Sequence, residues 1–171
     1  MSATIAEPNV APPKYLWLND RYDEDAFNGE GGYVSERPHP QQIKAGIRRL
    51  MQAADLIEQE GWTRGHYAAD ADGQRCEVAA SCAIRFCLAG AIQAVTHGDK
   101  SLVPHDIADF AMGSLVEADG YTHPLTGDPF RRNYIGWNDR GAKNRRQVVL
   151  ALRRAARRLS AEAGYDLTVV A

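Results

Sequence analysis

Cys87, His123 and the pair Asn138 and Asp139 stand in the chain order that a thiol hydrolase uses. A thiolate would attack, an imidazole would carry the proton, and a third polar group would orient the imidazole. Position argues against that chemistry. A nucleophilic thiol is activated at a helix N-terminus, where the dipole lowers its pKa. The pattern around Cys87 predicts a helix over 81–97, with Ser81 as N-cap and Gly98 just past its end. Cys87 would then lie about two turns inside, on a buried stripe of small residues. Packing is the favoured role, and hydrolase or transferase chemistry through Cys87, His123 and Asp139 is the alternative. Cys82 is nearer the expected helix start, but the neighbouring sequence supplies no base.

Metal chemistry fits poorly. His66, Cys76, Cys82 and Cys87 lack the short clips that hold structural zinc. Asp70, Asp72 and Gln74 suggest a calcium loop, yet Gly73 comes too early and no acid closes the loop at its twelfth position. A turn with Asx chemistry accounts for them. We expect no metal and no cofactor.

Two aromatic and polar segments remain. One holds Trp62, Arg64, His66 and Tyr67; the other is Trp137, Asn138 and Asp139. They could face each other and line a ligand site, but the structural reading is favoured, with Trp at the edge of the core and Asn and Asp bonding loop backbone.

The third candidate is electrostatic. Lys143, Arg145, Arg146, Arg153, Arg154, Arg157 and Arg158 fall within sixteen residues without an acid, in a chain of net charge −2. Arg146, Arg153 and Arg157, with Arg154 and Arg158, recur at helical spacing and could grip phosphates. No nucleic-acid motif accompanies them, and a solvated or acid-paired face is favoured. Asp20, Asp23, Glu24, Asp25 and Glu30 stand against Arg21 alone, just after the apolar Tyr15, Leu16, Trp17 and Leu18. We expect this acidic extension to lie along the basic helix as a strap, in its own subunit or across a homodimer.

The elements that must position these residues follow from periodicity. Pro40 suits a first helical turn, and Ile43, Ile47, Leu50, Ala54 and Ile57 predict a helix over 40–60 with Lys44, Arg48, Arg49 and Gln52 on its solvated face. Asp72-Gly73 predicts a hairpin within 62–78. In the helix over 81–97, bulky Ile84, Leu88, Ile92 and Val95 flank the small stripe, and Gly90, costly in a helix interior, marks a close backbone crossing. Pro104 begins a third helix, to 118, with Ile107, Phe110, Ala111, Ser114, Leu115 and Ala118 on one face. Residues 121–139 read as a long irregular loop. Asn144 and Gln147 form a capping-box pattern ahead of a last helix to 163. A weakly alternating tail over 165–170 adds an edge strand.

The expected fold is mainly α: one domain of about four helices around the central 81–97 helix, with a small hairpin. Residues 1–13 read as a disordered arm, 14–39 as the acidic extension and 40–171 as the helical domain. Apolar residues at 44% and charged residues at 25% are close to globular averages and point neither to disorder nor to a membrane. No apolar run is long enough to span a membrane. The first residues lack the regions of a signal peptide, and three cysteines fit a reducing compartment. We expect a cytoplasmic protein.

Ala53 to Trp62 (AADLIEQEGW), Cys87 to Ala91 (CLAGA) and Trp137-Asn138-Asp139 ahead of a basic last helix together carry a resemblance. The chain resembles an uncharacterised family of small bacterial and phage-borne helical domains of unknown function, over about 40–159. The resemblance implies a domain extent and no reaction. With two loop-rich polar segments on a helical scaffold, the expected function is a non-enzymatic binding or inhibitory accessory protein using 62–78 and 121–139. Its partner would be an unidentified protein or small molecule.

Overall fold

The computed structural model describes residues 40–96, 106–121 and 131–167. The expected arm over 1–13, the extension over 14–39, Pro104, His123 and residues 168–170 lie outside them. The fold is mainly helical with one small antiparallel sheet.

Helix α1 (Pro40–Gln59) buries Ile43, Ile47, Leu50, Ala54 and Ile57, as their spacing requires. It is also covered on a second side. Arg49, expected in solvent, is 6% exposed, and Ala45 and Gly46 are buried beside it. A Cβ on Gly46 would come within 2.8 Å of Ile107 Cγ2, so a third helix crosses closely there. Helices on several sides make α1, not the 81–97 stretch, the centre of the packing.

Strands β1 (Ala68–Ala69), β2 (Arg75–Cys76) and β3 (Arg85–Phe86) form a sheet of order β2-β1-β3, antiparallel at both pairings. The hairpin of β1 and β2 is the one the Asp-Gly turn predicts. Asp70 Oδ1 accepts from the Asp72 N–H at 3.0 Å and the Gln74 N–H at 2.8 Å, the Asx chemistry expected of that turn. Ala68 stands opposite both Cys76 and Phe86, and Ala69 opposite Arg75 and Arg85. The period of two thus puts Phe86 into the core and both arginines outside.

The third strand is the principal correction. The helix expected over 81–97 is α2 (Leu88–Thr96), and the residues before it are strand and turn. Backbone donors explain the late start. The Ile84 N–H goes to Ala69 O at 3.1 Å, that of Phe86 to Gly61 O at 3.1 Å and that of Cys87 to Tyr67 O at 3.1 Å. Donors bound to a sheet and a loop cannot bond four residues back. Ile84, expected among the buried bulky residues, is 36% exposed. Gly90 does mark a close crossing, since a Cβ there would overlap the Tyr67 carbonyl oxygen.

Helix α3 (Asp106–Ala118) buries Ala108, Ala111, Met112, Leu115 and Val116, while Ala118, expected on that face, is exposed. The segment read as irregular to 139 is helical in its described part. Residues Arg131–Gly136 form α4, around a Tyr134 only 2% exposed, and Trp137–Gly141 continue it as one π-helical turn. Burial of Tyr134 stabilises a helix that local polarity and punctuation did not suggest.

Helix α5 (Arg145–Ala163) buries Val148, Val149, Leu152, Ala155, Ala156 and Leu159 as expected. Asn144 Oδ1 accepts from the Gln147 N–H at 3.0 Å, while Gln147 Oε1 accepts from the Lys143 N–H at 2.7 Å, so the reciprocal bond lands one residue before the cap. Gly164 in the left-handed region ends α5, and the Tyr165 N–H reaches back to Ser160 O at 2.9 Å. Residues 165–167 contain no strand.

Candidate functional site

The chain leaving α1 at Gly61 runs beside β3. Trp62 bridges in parallel to Phe86, and the Thr63 N–H bonds Phe86 O at 3.2 Å. This brings the 62–67 loop to the start of α2. From the other side comes the π-helical turn, closed by the Ala142 N–H on Trp137 O at 2.7 Å. Such a turn adds one residue to a helical circuit and re-aims the side chains on it. Gly141 is required there, because a Cβ would stand 2.6 Å from Trp137 Cδ1.

Asn138 occupies the junction at 1% exposure. Its Oδ1 accepts from Trp62 Nε1 at 2.9 Å and from the Leu88 N–H at 3.1 Å. Its Nδ2 donates to Thr63 O at 3.3 Å and to Asp139 Oδ1 at 2.8 Å. Two acceptor sites and two donor hydrogens are all a primary amide has. Asn138 is fully engaged by the protein. Asp139 Oδ1 also accepts from the Gly65 N–H at 3.0 Å, Arg64 donates to Ala142 O, and its guanidinium lies 4.6 Å from the Trp62 ring centroid.

Of the residues read as a ligand site, Trp62, Arg64, Asn138 and Asp139 are therefore joined by direct bonds or contacts, and Trp137 forms the turn that presents them. His66 and Tyr67 belong to the same loop but are exposed, Tyr67 at 50%, and make no side-chain hydrogen bond among the described residues. Sequence reading missed the backbone partners: Thr63 O, the N–H groups of Gly65 and Leu88, and Ala142 O. No side-chain type marks such groups.

Cys87 sits immediately before α2, at its N-cap, not two turns inside. Its Sγ accepts from the Gly90 N–H at 3.2 Å. The dipole that the sequence reading denied this thiol is therefore present. Burial outweighs it: at 5% exposure, desolvation pushes the thiol up to about 11, against the lowering by the Gly90 and Ala89 N–H groups, and the Asp139 charge adds to the rise. With Leu88 bonded to Asn138 and Gly90 to Cys87, the first turn of α2 has its donors spent on the protein itself. His123 lies outside the described residues. Cys82, expected near a helix start, is exposed in the turn before β3. The Cys76 thiol is raised, first by loss of solvent and then by Cys82, Asp70 and Glu77. Among the described residues no three His, Cys, Asp or Glu side chains gather as metal ligands.

The basic helix is partly neutralised by the domain. Arg153 donates to Asp55 at 2.9 Å and Glu58 at 2.6 Å, Arg154 makes two bonds to Asp119 at 2.9 and 3.0 Å, and Arg158 bonds Glu162 at 2.9 Å. Three of the five arginines suggested for phosphate contact are thus paired with acids of α1, α5 and the end of α3. No helix among the described residues is long and apolar enough to cross a membrane.

A family model described as a family of unknown function (DUF6197) matches residues 46–158, and the chain belongs to that family. No curated protein and no solved structure matches it.

Proposed function

We propose that this member of the DUF6197 family is a non-enzymatic binding module that recognises its partner through the exposed rim above Asn138. The rim consists of Arg64, His66, Tyr67 and the half-exposed Asp139. What supports this reading is the contrast in capacity across the site. Asn138 has no bonding capacity left for a ligand, yet it fixes the loop on which two polar side chains and an exposed tyrosine stand. A rigid base under an aromatic and cationic rim suits recognition of a protein surface or a small molecule carrying an acidic and a planar group.

The test is capture from cell extract by the intact protein, with native mass spectrometry of what is retained. A specific partner or small molecule held by the wild type and by Arg48→Ala, but lost in Tyr67→Ser/His66→Ala, is the expected result. Retention unchanged by the rim variant, or nothing retained by the wild type, rejects the reading.

The second reading, thiol chemistry at Cys87, draws support from the thiol's place at a helix N-terminus. With the thiol at about 11, roughly one molecule in ten thousand carries the thiolate at pH 7. Iodoacetamide labelling of native Cys87 within minutes at pH 7 would favour it; labelling only after denaturation would remove it.

A further inference from the structure

Arg64 leaves the 62–67 loop and donates to Ala142 O, one residue before Lys143. The bond brings a loop cation to the start of α5, where Lys143, Arg145 and Arg146 are all exposed. None of the four has an ion-pair partner among the described residues. The neighbouring acids do not balance them. Asp55 and Glu58 hold Arg153, about 10 Å further along α5 on the stripe that Arg146 shares, so Arg146 is the outer margin of the patch. Asp139 spends its Oδ1 on the Gly65 N–H and on Asn138 Nδ2, and Glu60, the acid nearest Arg64 along the chain, is bonded to none of the four cations.

No acid occupies the first turn of α5, although the helix dipole disfavours cations at that end. Side by side, Lys143, Arg145 and Arg146 also repel one another within a screening length of about 8 to 10 Å. The arrangement costs the free protein stability, and a bound anion offsets that cost.

We infer that the ligand of the rim is a nucleotide, with its phosphates on Lys143, Arg145 and Arg146 beside Arg64, and its base against Tyr67. This rests on the rim reading above and names the chemistry of the ligand. Planar guanidinium forks and a point-like ammonium together suit the several oxygens of a di- or triphosphate, whereas a single carboxylate has too few acceptors to engage them all. Arg64 has spent one of its five N–H donors on Ala142 O and lies over the Trp62 ring, so it is held in place with donors to spare. Tyr67, 50% exposed, follows Arg64 by three residues, at most about 11 Å of chain. The Gly65 N–H bond to Asp139 fixes the loop between them. A tyrosine face stacks any base, so the site selects a nucleotide without selecting which one. The Asp139 charge disfavours phosphate over the loop and directs it toward Lys143.

Isothermal titration calorimetry of the full-length chain with ATP, adenosine and tripolyphosphate tests the assignment. Stacking on Tyr67 should make ATP bind about tenfold more tightly than tripolyphosphate, with adenosine weaker than ATP. Lys143→Glu/Arg145→Glu should weaken ATP and tripolyphosphate alike by at least about tenfold, while Tyr67→Ser weakens ATP alone. Arg157→Glu, about three turns along the same helix, should leave ATP affinity unchanged. The double variant should also melt at a higher temperature than the wild type, because acids then face the helix dipole. A lower melting temperature would mean that the cations serve the fold, and overturns the proposal. Equal affinity for ATP and tripolyphosphate, or indifference of ATP to Tyr67→Ser, overturns it as well. So does the absence of ATP binding at millimolar concentration; if the wild type still retains a partner through Tyr67 and His66, the rim reading survives and only the nucleotide is rejected. Anisotropy of a labelled, 5′-phosphorylated oligothymidylate separates the two sources of the ligand. Tighter binding than ATP assigns a strand end, and weaker binding assigns a free nucleotide.

Discussion

The Asn138 junction and the outer ridge of α5 are both rich in polar groups, and they differ in where those groups find partners. At the junction one amide satisfies an indole, two backbone segments and a neighbouring carboxylate, all within the protein. Along the ridge, Arg153 is held by Asp55 and Glu58, while Arg146 and Arg157 on either side of it have no acid of the described residues bound to them. Polar density alone therefore does not separate scaffold from interaction surface. The separation comes from counting donors and acceptors that the fold has already consumed.

The most severe way to break this contrast is Asn138→Ala. It strands Trp62 Nε1 and the Leu88 N–H without their acceptor, and the loss of several buried bonds should cost about 3 to 5 kcal/mol. A thermal melt followed by circular dichroism measures it; a change below about 1 kcal/mol would mean that the amide is not the keystone of the junction. Gly90→Ala should come next, at about 2 to 3 kcal/mol, because the new methyl overlaps the Tyr67 carbonyl and must separate α2 from the loop.

Cys87 gives a pH-dependent version of the same comparison. Its folded thiol is raised to about 11 from an ordinary value of 9.0, so above pH 9 the unfolded chain loses this proton first. The contribution is intact below pH 9 and disappears as pH rises through 11, at about 1.4 kcal/mol per pH unit between them. Urea titrations at pH 8 and pH 10.5 should show the loss in the wild type and a smaller one in Cys87→Ala. On the ridge the expected effects are smallest. Deleting residues 1–32 should lower stability by about 1 kcal/mol, and more at low salt than at high salt. Identical melting in both buffers would mean that the acidic extension does not lie along the basic helix.

Much of the helical framework was legible because periodicity reports burial directly. Ile43 to Ile57 in α1 and Val148 to Leu159 in α5 need nothing beyond their own spacing. Gly90 was legible as well, since a costly glycine in an apolar run demands a steric reason. The start of α2 was not. Residues 82–87 carry an apolar pattern that suits a helix, but the N–H groups of Ile84, Phe86 and Cys87 are taken by Ala69, Gly61 and Tyr67, and no local pattern encodes partners 15 to 25 positions away. That error also misplaced Cys87. At the site, Trp62 and Asn138 could be singled out by residue type, whereas Thr63 O and the Leu88 N–H could not.

The bond from Trp62 to Asn138 closes a separation of 76 residues, and this has a kinetic meaning. Ordering a loop of that length must precede the reward of the contact, so the junction belongs to the slow, late part of folding. During synthesis α1, the sheet and α2 leave the ribosome before Asn138 has been made. Until it arrives, the first turn of α2 lacks the acceptor for Leu88, and the Trp62 indole remains without its acceptor. The amide thus acts as a completion signal: the N-terminal half reaches its final stability only when the last third of the chain has been delivered to it.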